Sequence, residues 1–486
     1  MKRCISIHLY VSFVVAGLLL LFAMPVFSQK YQVSTEPYPA LVKAAPGLIL
    51  KTGYLMVPEN RMKPNGRKVK LPFFFVRRPD QDARKNVSLY MTGGPGYSTT
   101  IGIDSIGYNS GFLKYGGFIA FDQRGTRRTI PNLEADEVYE AIKQSYREGR
   151  NKDSLTMLAV KQARDRLLAE GVDLSSYNTE ESVEDINDLR LALGLDSLNL
   201  VGISYSGGLM LSMAAIHPEG VHLLLLNSPL PAFVTYEEDA LSNINEALDQ
   251  VFANCIADSS AAYKDLKTRF HSYFTGLGNQ RMSMRYLEKK VLDSITVHYG
   301  KQELVDAIVN RLNTAQVKSV PMVIAAIIDG HAEPYVREVL DDYFAGNSSV
   351  SLAMRYSVYC GGQIAFADKS KMALQEKRFP WLAGYVFNNV SHTICDCWQV
   401  RPMQKTLREP VRSGVPALIS AGDVDPWCRP GYNRLIKLGM PNAQLLILHD
   451  KGHGAGYSAG GTNYLDAFMK APMQPLMAAG AGVIIE

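Results

Sequence analysis

The sequence predicts an α/β fold built on a mostly parallel, doubly wound sheet with an inserted helical lid domain. Short apolar runs typical of buried strands recur along the chain, with helix-like segments between them. One run, residues 198–201, leads through a glycine-rich turn into a helix-like run at residues 209–216. Between residues 232 and 400 amphipathic helical patterns dominate instead. The other runs with core-strand character are 87–92, 118–122, 221–226, 415–419 and 444–448.

The first 28 residues are expected to be a cleavable signal peptide. Lys2 and Arg3 precede an apolar stretch from about residue 9 to residue 24, and Val26-Phe27-Ser28 offers a cleavage site after Ser28. An uncleaved membrane anchor is the alternative, but the apolar stretch is short for a bilayer span. We therefore expect export to a bacterial periplasm or to the outside of the cell.

The remaining chain is expected to divide into three parts. Residues 29–231 form the first part of the core, residues 232–400 the helical lid, and residues 401–486 the last part of the core. Within the lid, residues 287–308 are predicted to form a long amphipathic helix.

Within the core, residues 51–77 are predicted to open with an antiparallel pair of strands, and residues 133–170 are predicted to be helical. Asn178, with Glu181 three residues later, marks a helix start, and Gly194 marks its end. The apolar stripe of this helix is Val183, Ile186, Leu189 and Leu193.

Ser204 lies in the turn between the strand-like and helix-like runs, which makes it the candidate nucleophile. A serine on such a sharp turn presents its hydroxyl above the sheet. Its close neighbours must be small, because larger side chains would collide with the strand or the helix. Gly202 and Gly207 satisfy this requirement, and Ser206 stands where the usual pattern has glycine. We interpret Ser206 as a tolerated departure; the competing interpretation is an ordinary glycine-rich turn.

A serine hydroxyl needs a histidine base, and the base needs a carboxylate that orients it. Two late strand runs supply both in the chain order serine, acid, histidine. Asp423 and Asp425 follow the first of these runs. We favour Asp425, because Pro426 fixes the chain directly after it, and we expect Asp423 to bond its own backbone in a turn.

His449 and His453 follow the second run. We favour His453 as the base, because it lies between glycines beyond the strand end, and we expect His449 to be a packed strand-end residue. The other histidines have no comparable context: His8, His217, His222, His271, His298, His331 and His392.

An early strand runs into the string Gly93-Gly94-Pro95-Gly96. Backbone N–H groups of such a loop can hold the oxygen that becomes negative during acyl transfer. We expect one donor from Gly94 and the second from Tyr205, the residue after the nucleophile. The alternative interpretation is a surface turn.

With these motifs the chain resembles the prolyl aminopeptidase and tripeptidyl aminopeptidase family of serine peptidases, within the α/β-hydrolases. The similarity extends from about Thr52 onward and is weak between residues 232 and 350. It implies an α/β-hydrolase fold and an acyl-enzyme mechanism that cleaves peptides near a free N-terminus. The motifs that carry the resemblance are Gly93–Gly96, Asp122–Gly125, Gly202–Gly207, Gly422–Pro426 and Gly452-His453.

Three places depart from the family pattern, and all flank the expected pocket. Thr92 replaces a histidine, Arg127 and Arg128 stand where the family usually has a glycine, and Trp427-Cys428 replaces small polar residues. In the family the arginine of the Asp-x-Arg-Gly motif is mainly structural. Arg124 is therefore expected to tie loops together rather than to catalyse.

The resemblance also implies an anion that binds the substrate's ammonium group. Glu237 and Glu238 lie about where prolyl aminopeptidases carry such a glutamate. The alternative is the solvated start of a helix, where acidic residues are favoured in any case.

Of the six cysteines, Cys4 precedes the apolar N-terminal stretch, which leaves an odd number for the exported chain. The resemblance implies a bridge between Cys360 and Cys395, with Cys397 as the alternative partner. Reduced thiols throughout remain an open alternative, and these would include Cys255 and Cys428.

The chain has 486 residues, of which 47% are apolar, and a net charge of +4. Without a basic stripe, a ligand-spaced histidine cluster or a phosphate loop, we expect no nucleic-acid partner, no metal and no cofactor. Peptides are the expected substrates. Two rival functions stay open: an esterase or lipase that uses the same triad, and a non-catalytic interaction protein on the same scaffold.

Overall fold

The computed structural model describes residues 33–39, 41–257, 263–289, 291–346, 350–388 and 390–486. The predicted signal peptide lies outside these described residues. None of the helices described is both long enough and apolar enough to cross a bilayer.

The strands alternate with helices along most of the chain. The strands are β1 (Ser34–Glu36), β2 (Lys43–Ala44), β3 (Ile49–Pro58), β4 (Lys68–Arg77), β5 (Val87–Met91), β6 (Ser105–Ile106), β7 (Phe118–Phe121), β8 (Leu198–Ile203), β9 (Val221–Asn227), β10 (Met282–Glu288), β11 (Asp293–Tyr299), β12 (Ala417–Gly422), β13 (Ala443–Leu448), β14 (Ser458–Ala459), β15 (Thr462–Asn463) and β16 (Val483–Ile485).

The α-helices fall into a core set and a lid set. They are α1 (Asp136–Glu148), α2 (Lys152–Ala169), α3 (Thr179–Ala192), α4 (Tyr205–Ile216), α5 (Tyr236–Ala257), α6 (Leu266–Leu277), α7 (Lys301–Val309), α8 (Val320–Ile328), α9 (Glu333–Ala345), α10 (Leu352–Gly362), α11 (Lys369–Arg378), α12 (His392–Trp398), α13 (Pro430–Leu438) and α14 (Tyr464–Lys470).

The central sheet has ten strands in the order β1-β3-β4-β7-β5-β8-β9-β12-β13-β16. The six strands from β7 to β13 are parallel, whereas the β1-β3-β4 edge and the β16 edge are antiparallel. Strands such as β8 and β12 are buried on both faces, which explains their continuous apolar sequences. Because the inner strands are parallel, the segments that follow β5, β8, β12 and β13 meet at one edge of the sheet.

Local signals in the core sequence hold in the structure. The predicted antiparallel pair is the β3–β4 hairpin, and residues 133–170 contain α1 and α2. The side chain of Asn178 accepts a hydrogen bond of 2.8 Å from the N–H of Glu181 at the start of α3. Gly194, with a φ of 68°, follows the end of this helix. Both helix signals are therefore confirmed.

The segment Asp122–Gly125 after β7 is structural, as predicted for Arg124. Arg124 is fully buried, and two of its nitrogens each donate to an oxygen of Asp185 at 2.7 Å. It also donates to the carbonyls of Glu59 at 2.6 Å and Ser176 at 2.8 Å. One guanidinium therefore joins the β3–β4 hairpin, the segment after β7 and α3.

Helices α5 to α12 lie between β9 and β12, in the segment predicted as the lid, and its boundaries at residues 232 and 400 stay a prediction. The predicted helix at residues 287–308 is wrong. This region holds the antiparallel hairpin β10–β11, and α7 begins only at Lys301. Met284, Tyr286 and Glu288 are buried between exposed neighbours, the period of two that a half-buried strand requires.

A disulfide joins Cys360, in α10, to Cys395, in α12. This pairing is the one implied by the family resemblance. The alternatives, a bridge through Cys397 or reduced thiols throughout, are wrong for this structure. The bridge links two helices whose buried side chains pack in the same core cluster as β8, including Tyr356 and Trp398.

Replacing Cys360 and Cys395 together by serine is expected to lower the free energy of unfolding by about 2–4 kcal/mol, because the bridge no longer restricts the unfolded chain. Denaturant unfolding with and without reductant measures this loss. Reductant should destabilise the wild type but not the double variant, and Cys397→Ser should behave like the wild type. If reductant destabilised the double variant as strongly as the wild type, the pairing would be incorrect.

Candidate active site

Ser204 forms the turn between β8 and α4 by itself. Its φ of 58° and ψ of −125° lie in a region that side-chain-bearing residues rarely adopt. Two backbone hydrogen bonds hold it there: its N–H donates to the carbonyl of Asn227 at 3.1 Å, and its carbonyl accepts from the N–H of Leu230 at 3.0 Å. The surrounding chain thus imposes the strained conformation expected of a nucleophile turn.

The turn leaves no room for a side chain on the strand beneath it. A Cβ added at Gly202 would lie 2.6 Å from the carbonyl oxygen of Ser206, closer than real contacts allow. Ser206 itself is buried, and its hydroxyl lies 2.7 Å from the carbonyl of Met91 and 2.9 Å from the N–H of Ile203. The departure from glycine at this position therefore ties the end of β8 to the end of β5.

The loop Gly93–Gly96 lies directly against the serine turn. A Cβ added at Gly93 would come within 2.9 Å of the Ser204 Cβ and 2.6 Å of the Ile203 carbonyl. Within the described residues, no acceptor meets the backbone N–H of Gly94 or that of Tyr205. Neither predicted donor is therefore occupied by an acceptor within that part of the chain, and their function as an oxyanion hole stays a prediction.

Asp122 fixes the chain that follows this loop. Its buried carboxylate accepts hydrogen bonds from the N–H groups of Thr99 at 2.5 Å and Thr100 at 2.9 Å, and from the hydroxyl of Ser98 at 2.9 Å. The neighbouring Gln123 side chain donates to the carbonyl of Thr92 at 2.7 Å. The residues on both sides of the glycine string are thus anchored to the segment after β7.

Asp425 is fully buried and is bonded on both oxygens. One oxygen accepts from the N–H groups of Trp427 at 2.8 Å and Cys428 at 3.0 Å. The other lies 2.9 Å from Nδ1 of His453. The carboxylate is thus fixed by its own loop and can orient the imidazole, the function required of a triad acid.

The lid and the core together position His453. Its N–H donates to the carbonyl of Leu312 at 2.9 Å, and its carbonyl accepts from the N–H of Thr314 at 3.1 Å. The ring packs against Trp427 with the ring centroids 5.3 Å apart. The side chain stays 22% exposed, so its second nitrogen is not sealed within the core.

A second Asp–His pair lies beside the first. Asp423 Oδ2 is 2.7 Å from His449 Nδ1, and the His449 side chain is 50% exposed. Two expectations are therefore wrong: Asp423 bonds a histidine rather than its own backbone, and His449 is not a packed residue. Burial raises the pKa of Asp423, and the hydrogen bond with His449 opposes that rise. The two pairs form because Gly422 and Leu448 are partners in the parallel ladder, which places the two loops side by side.

Cys428 connects the Asp425–His453 pair to the serine. Its sulfur lies 3.9 Å from Ser204 Oγ, and its side chain is buried, which raises the pKa of the thiol. Single donor atoms of Asp425, Cys428 and His453 all lie within 4.8 Å of one another. Cys428 is therefore a neighbour of both Ser204 and the Asp425–His453 pair. In the sequence, Cys428 stood out only because it replaces a small polar residue of the family pattern.

Glu237 and Glu238 have different surroundings. The Glu237 carboxylate is buried and accepts a hydrogen bond of 2.8 Å from Nδ2 of Asn388. Glu238 forms an ion pair of 2.7 Å with Lys371 and accepts from the N–H of Asp368 at 2.9 Å. Because Glu238 already has a cationic partner, only Glu237 stays a candidate for binding an ammonium group.

Burial raises the pKa of Glu237 to about 7, although Asn388, Arg355 and Tyr359 all favour its ionised form. Asn388 connects these groups: its amide nitrogen also lies 2.8 Å from the Tyr359 hydroxyl, and its oxygen accepts from Arg355 at 2.9 Å. Arg355 packs beside Gly96 of the glycine loop. No sequence motif pointed to Asn388 or Arg355, because both join the network only through the folding of the lid.

The family model for the alpha/beta hydrolase fold matches residues 117–459. The chain belongs to this hydrolase family. The Ser204 turn and the mostly parallel sheet agree with that membership.

Two curated relatives are the tripeptidyl aminopeptidases of Streptomyces lividans and Streptomyces coelicolor. Each is 25% identical to this chain, over 190 and 189 residues respectively, or 37% of this chain. The match spans only 35% of each relative.

Among solved structures, the chain is similar to MGS-M2, an alpha/beta hydrolase enzyme from a deep-sea metagenome library, with 12% identity and a TM-score of 0.38 over 86% of this chain and 99% of that one. It is also similar to 2-hydroxy-6-oxo-6-phenylhexa-2,4-dienoate hydrolase from Rhodococcus sp. strain RHA1, with 12% identity and a TM-score of 0.34 over 87% of this chain and 98% of that one.

The two Asp–His pairs can be separated by mutation. His453→Ala is expected to lower hydrolysis of a chromogenic ester by thousands-fold or more, on the order of the loss when a triad base is removed. His449→Ala should cost far less, because among the described residues its side chain pairs with Asp423 rather than with Asp425. Steady-state kinetics of both variants measures the difference, and equal losses would contradict the assignment of the base.

Proposed function

We propose that this protein is an exported serine peptidase that cleaves peptides near a free N-terminus through Ser204, His453 and Asp425. The observation that carries the proposal is the buried Glu237 carboxylate, which is hydrogen-bonded and has no salt-bridge partner among the described residues. It belongs to a network that reaches the glycine loop. A buried carboxylate is costly unless it is paired. The ammonium group of a peptide supplies the missing cation.

The chemistry is acyl transfer. His453, oriented by Asp425, takes the proton from the Ser204 hydroxyl, which attacks the substrate carbonyl. The N–H groups of Gly94 and Tyr205 hold the oxyanion. His453 then protonates the leaving amine, and water hydrolyses the acyl-enzyme by the same proton path.

Binding at the other end of the substrate uses residues of the lid. Glu237 accepts the ammonium, while Asn388 and Arg355 keep its carboxylate in place. Because this anion is fixed by the fold, it restricts cleavage to bonds within reach of the N-terminus. The resemblance to tripeptidyl aminopeptidases supports the same substrate class, although the match spans about a third of those relatives.

Export is part of the proposal. The basic residues and apolar stretch at the start of the chain have the pattern of a cleavable signal ending at Ser28. The Cys360–Cys395 disulfide supports an oxidising compartment, where such bonds persist.

Acetylation of the substrate's N-terminus is expected to lower kcat/KM by at least roughly tenfold, the loss when a buried charged hydrogen bond is left unmade. Glu237→Gln should abolish this discrimination. Glu238→Gln is the matched control and should retain it, because Glu238 is paired with Lys371. Equal cleavage of free and acetylated peptides, or much faster turnover of simple acyl esters, would favour the esterase alternative.

Absence of fluorophosphonate labelling at Ser204 would favour a non-catalytic scaffold.

The same discrimination is expected to depend on pH. Only the ionised Glu237 carboxylate attracts an ammonium group, and its pKa is about 7. The ratio of kcat/KM for free and acetylated substrates should therefore fall towards one as the pH drops below 7 and the carboxylate becomes protonated. A group whose protonation affects both substrates equally cancels in this ratio. In Glu237→Gln the ratio should be independent of pH over this range; a ratio that falls equally in this variant would refute the assignment.

A further inference from the structure

A buried thiol lies within the candidate triad. The Cys428 sulfur is 3.9 Å from Ser204 Oγ, and the Cys428 N–H donates to Asp425 at 3.0 Å. Hydrolysis by a serine triad needs a hydroxyl, an imidazole and a carboxylate, so the proposed mechanism does not use this sulfur. The residue therefore adds a fourth reactive group to a site that is chemically complete without it.

The donor set of this cluster matches that of a zinc site. Zinc prefers thiolate sulfur, imidazole nitrogen and carboxylate oxygen, at about 2.0–2.3 Å, so the donors of a tetrahedral site lie about 3.3–3.8 Å apart. Asp425, Cys428 and His453 each offer one such atom within 4.8 Å of the others. Asp425 and Cys428 share the loop between β12 and α13, and His453 lies on the loop after β13. Binding of one ion would therefore require these donor atoms to move closer together.

An ion can reach this cluster from the substrate side. Ser204 and His453 are both partly exposed, and the buried Cys428 sulfur lies 3.9 Å from the serine hydroxyl. From these observations we infer that Cys428, His453 and Asp425 form a binding site for a thiophilic divalent cation such as Zn²⁺, and that an ion bound there blocks the nucleophile.

Binding is an exchange of ligands without any redox change. The Cys428 thiol releases its proton to solvent and the thiolate coordinates the ion. The proton on His453 Nδ1 moves through solvent to Nε2, and a bond from each residue to the metal replaces the Asp425–His453 hydrogen bond. His453 then cannot accept the Ser204 proton, so the ion switches acyl transfer off. This effect on activity rests on the proposed triad, whereas the binding itself does not.

The first test measures binding without substrate. Cd²⁺, a thiophilic stand-in for Zn²⁺, is titrated into the purified mature protein while the thiolate-to-cadmium charge-transfer absorption is followed. The wild type and Cys397→Ser should develop the band with one ion per chain, and Cys428→Ser should not. If the band persisted in Cys428→Ser or was absent from the wild type, the site would be excluded. A thermal melt confirms folding, and Cys428→Ala replaces Cys428→Ser if the serine variant does not fold.

The second test measures the block at Ser204. Zn²⁺ should protect Ser204 of the wild type from a fluorophosphonate probe, and Mg²⁺ at the same concentration should not. The Zn²⁺ concentration for half-protection should rise at least about tenfold in Cys428→Ser, as expected when a metal ligand is lost. Equal protection of both proteins would overturn the inference. If the metal-free wild type were never labelled, the proposed triad would fail while the cadmium result still decided the binding site.

Discussion

The contact between the turn at Ser204 and the backbone that surrounds it is the constraint on which the site depends. The serine is held in a conformation that costs free energy, and neighbouring strands supply the bonds that maintain it. Gly93 and Gly202 lie so close to the backbone of the serine turn that a Cβ at either position would overlap its atoms. The glycine loop and the nucleophile therefore form one unit. A change in either one alters the backbone geometry of the other.

A layer of buried polar residues beneath this unit keeps it in place. Asp122 anchors the chain after the glycine loop, and Arg124 joins the β3–β4 hairpin to α3 through Asp185. A buried guanidinium is tolerated because its donors meet two carboxylate oxygens and two backbone carbonyls. The motif thus has a structural function: it fixes the residues on both sides of the glycine loop.

The lid takes part in the site rather than only covering it. Leu312 and Thr314 bond the backbone of His453, and Asn388 holds the carboxylate of Glu237. The same inserted segment therefore positions both the proposed base, His453, and the proposed ammonium-binding group, Glu237. Movement of that segment would shift proton transfer and substrate binding together.

The sequence by itself determined the features that depend on neighbouring residues. The strand, turn and helix around Ser204 and the cap at Asn178 follow from local spacing and residue type, whereas the structural role of Arg124 was implied by the family resemblance of its motif. Tertiary structure decided the contacts between residues that are far apart in the chain. The register of β12 and β13 placed two Asp–His pairs side by side. Folding gave the adjacent Glu237 and Glu238 different surroundings, a buried amide partner for the first and a lysine for the second. The loops brought Cys428 close to the serine. A short sequence window specifies backbone conformation and amphipathicity, but the side chains that meet are chosen by contacts between segments far apart in the chain.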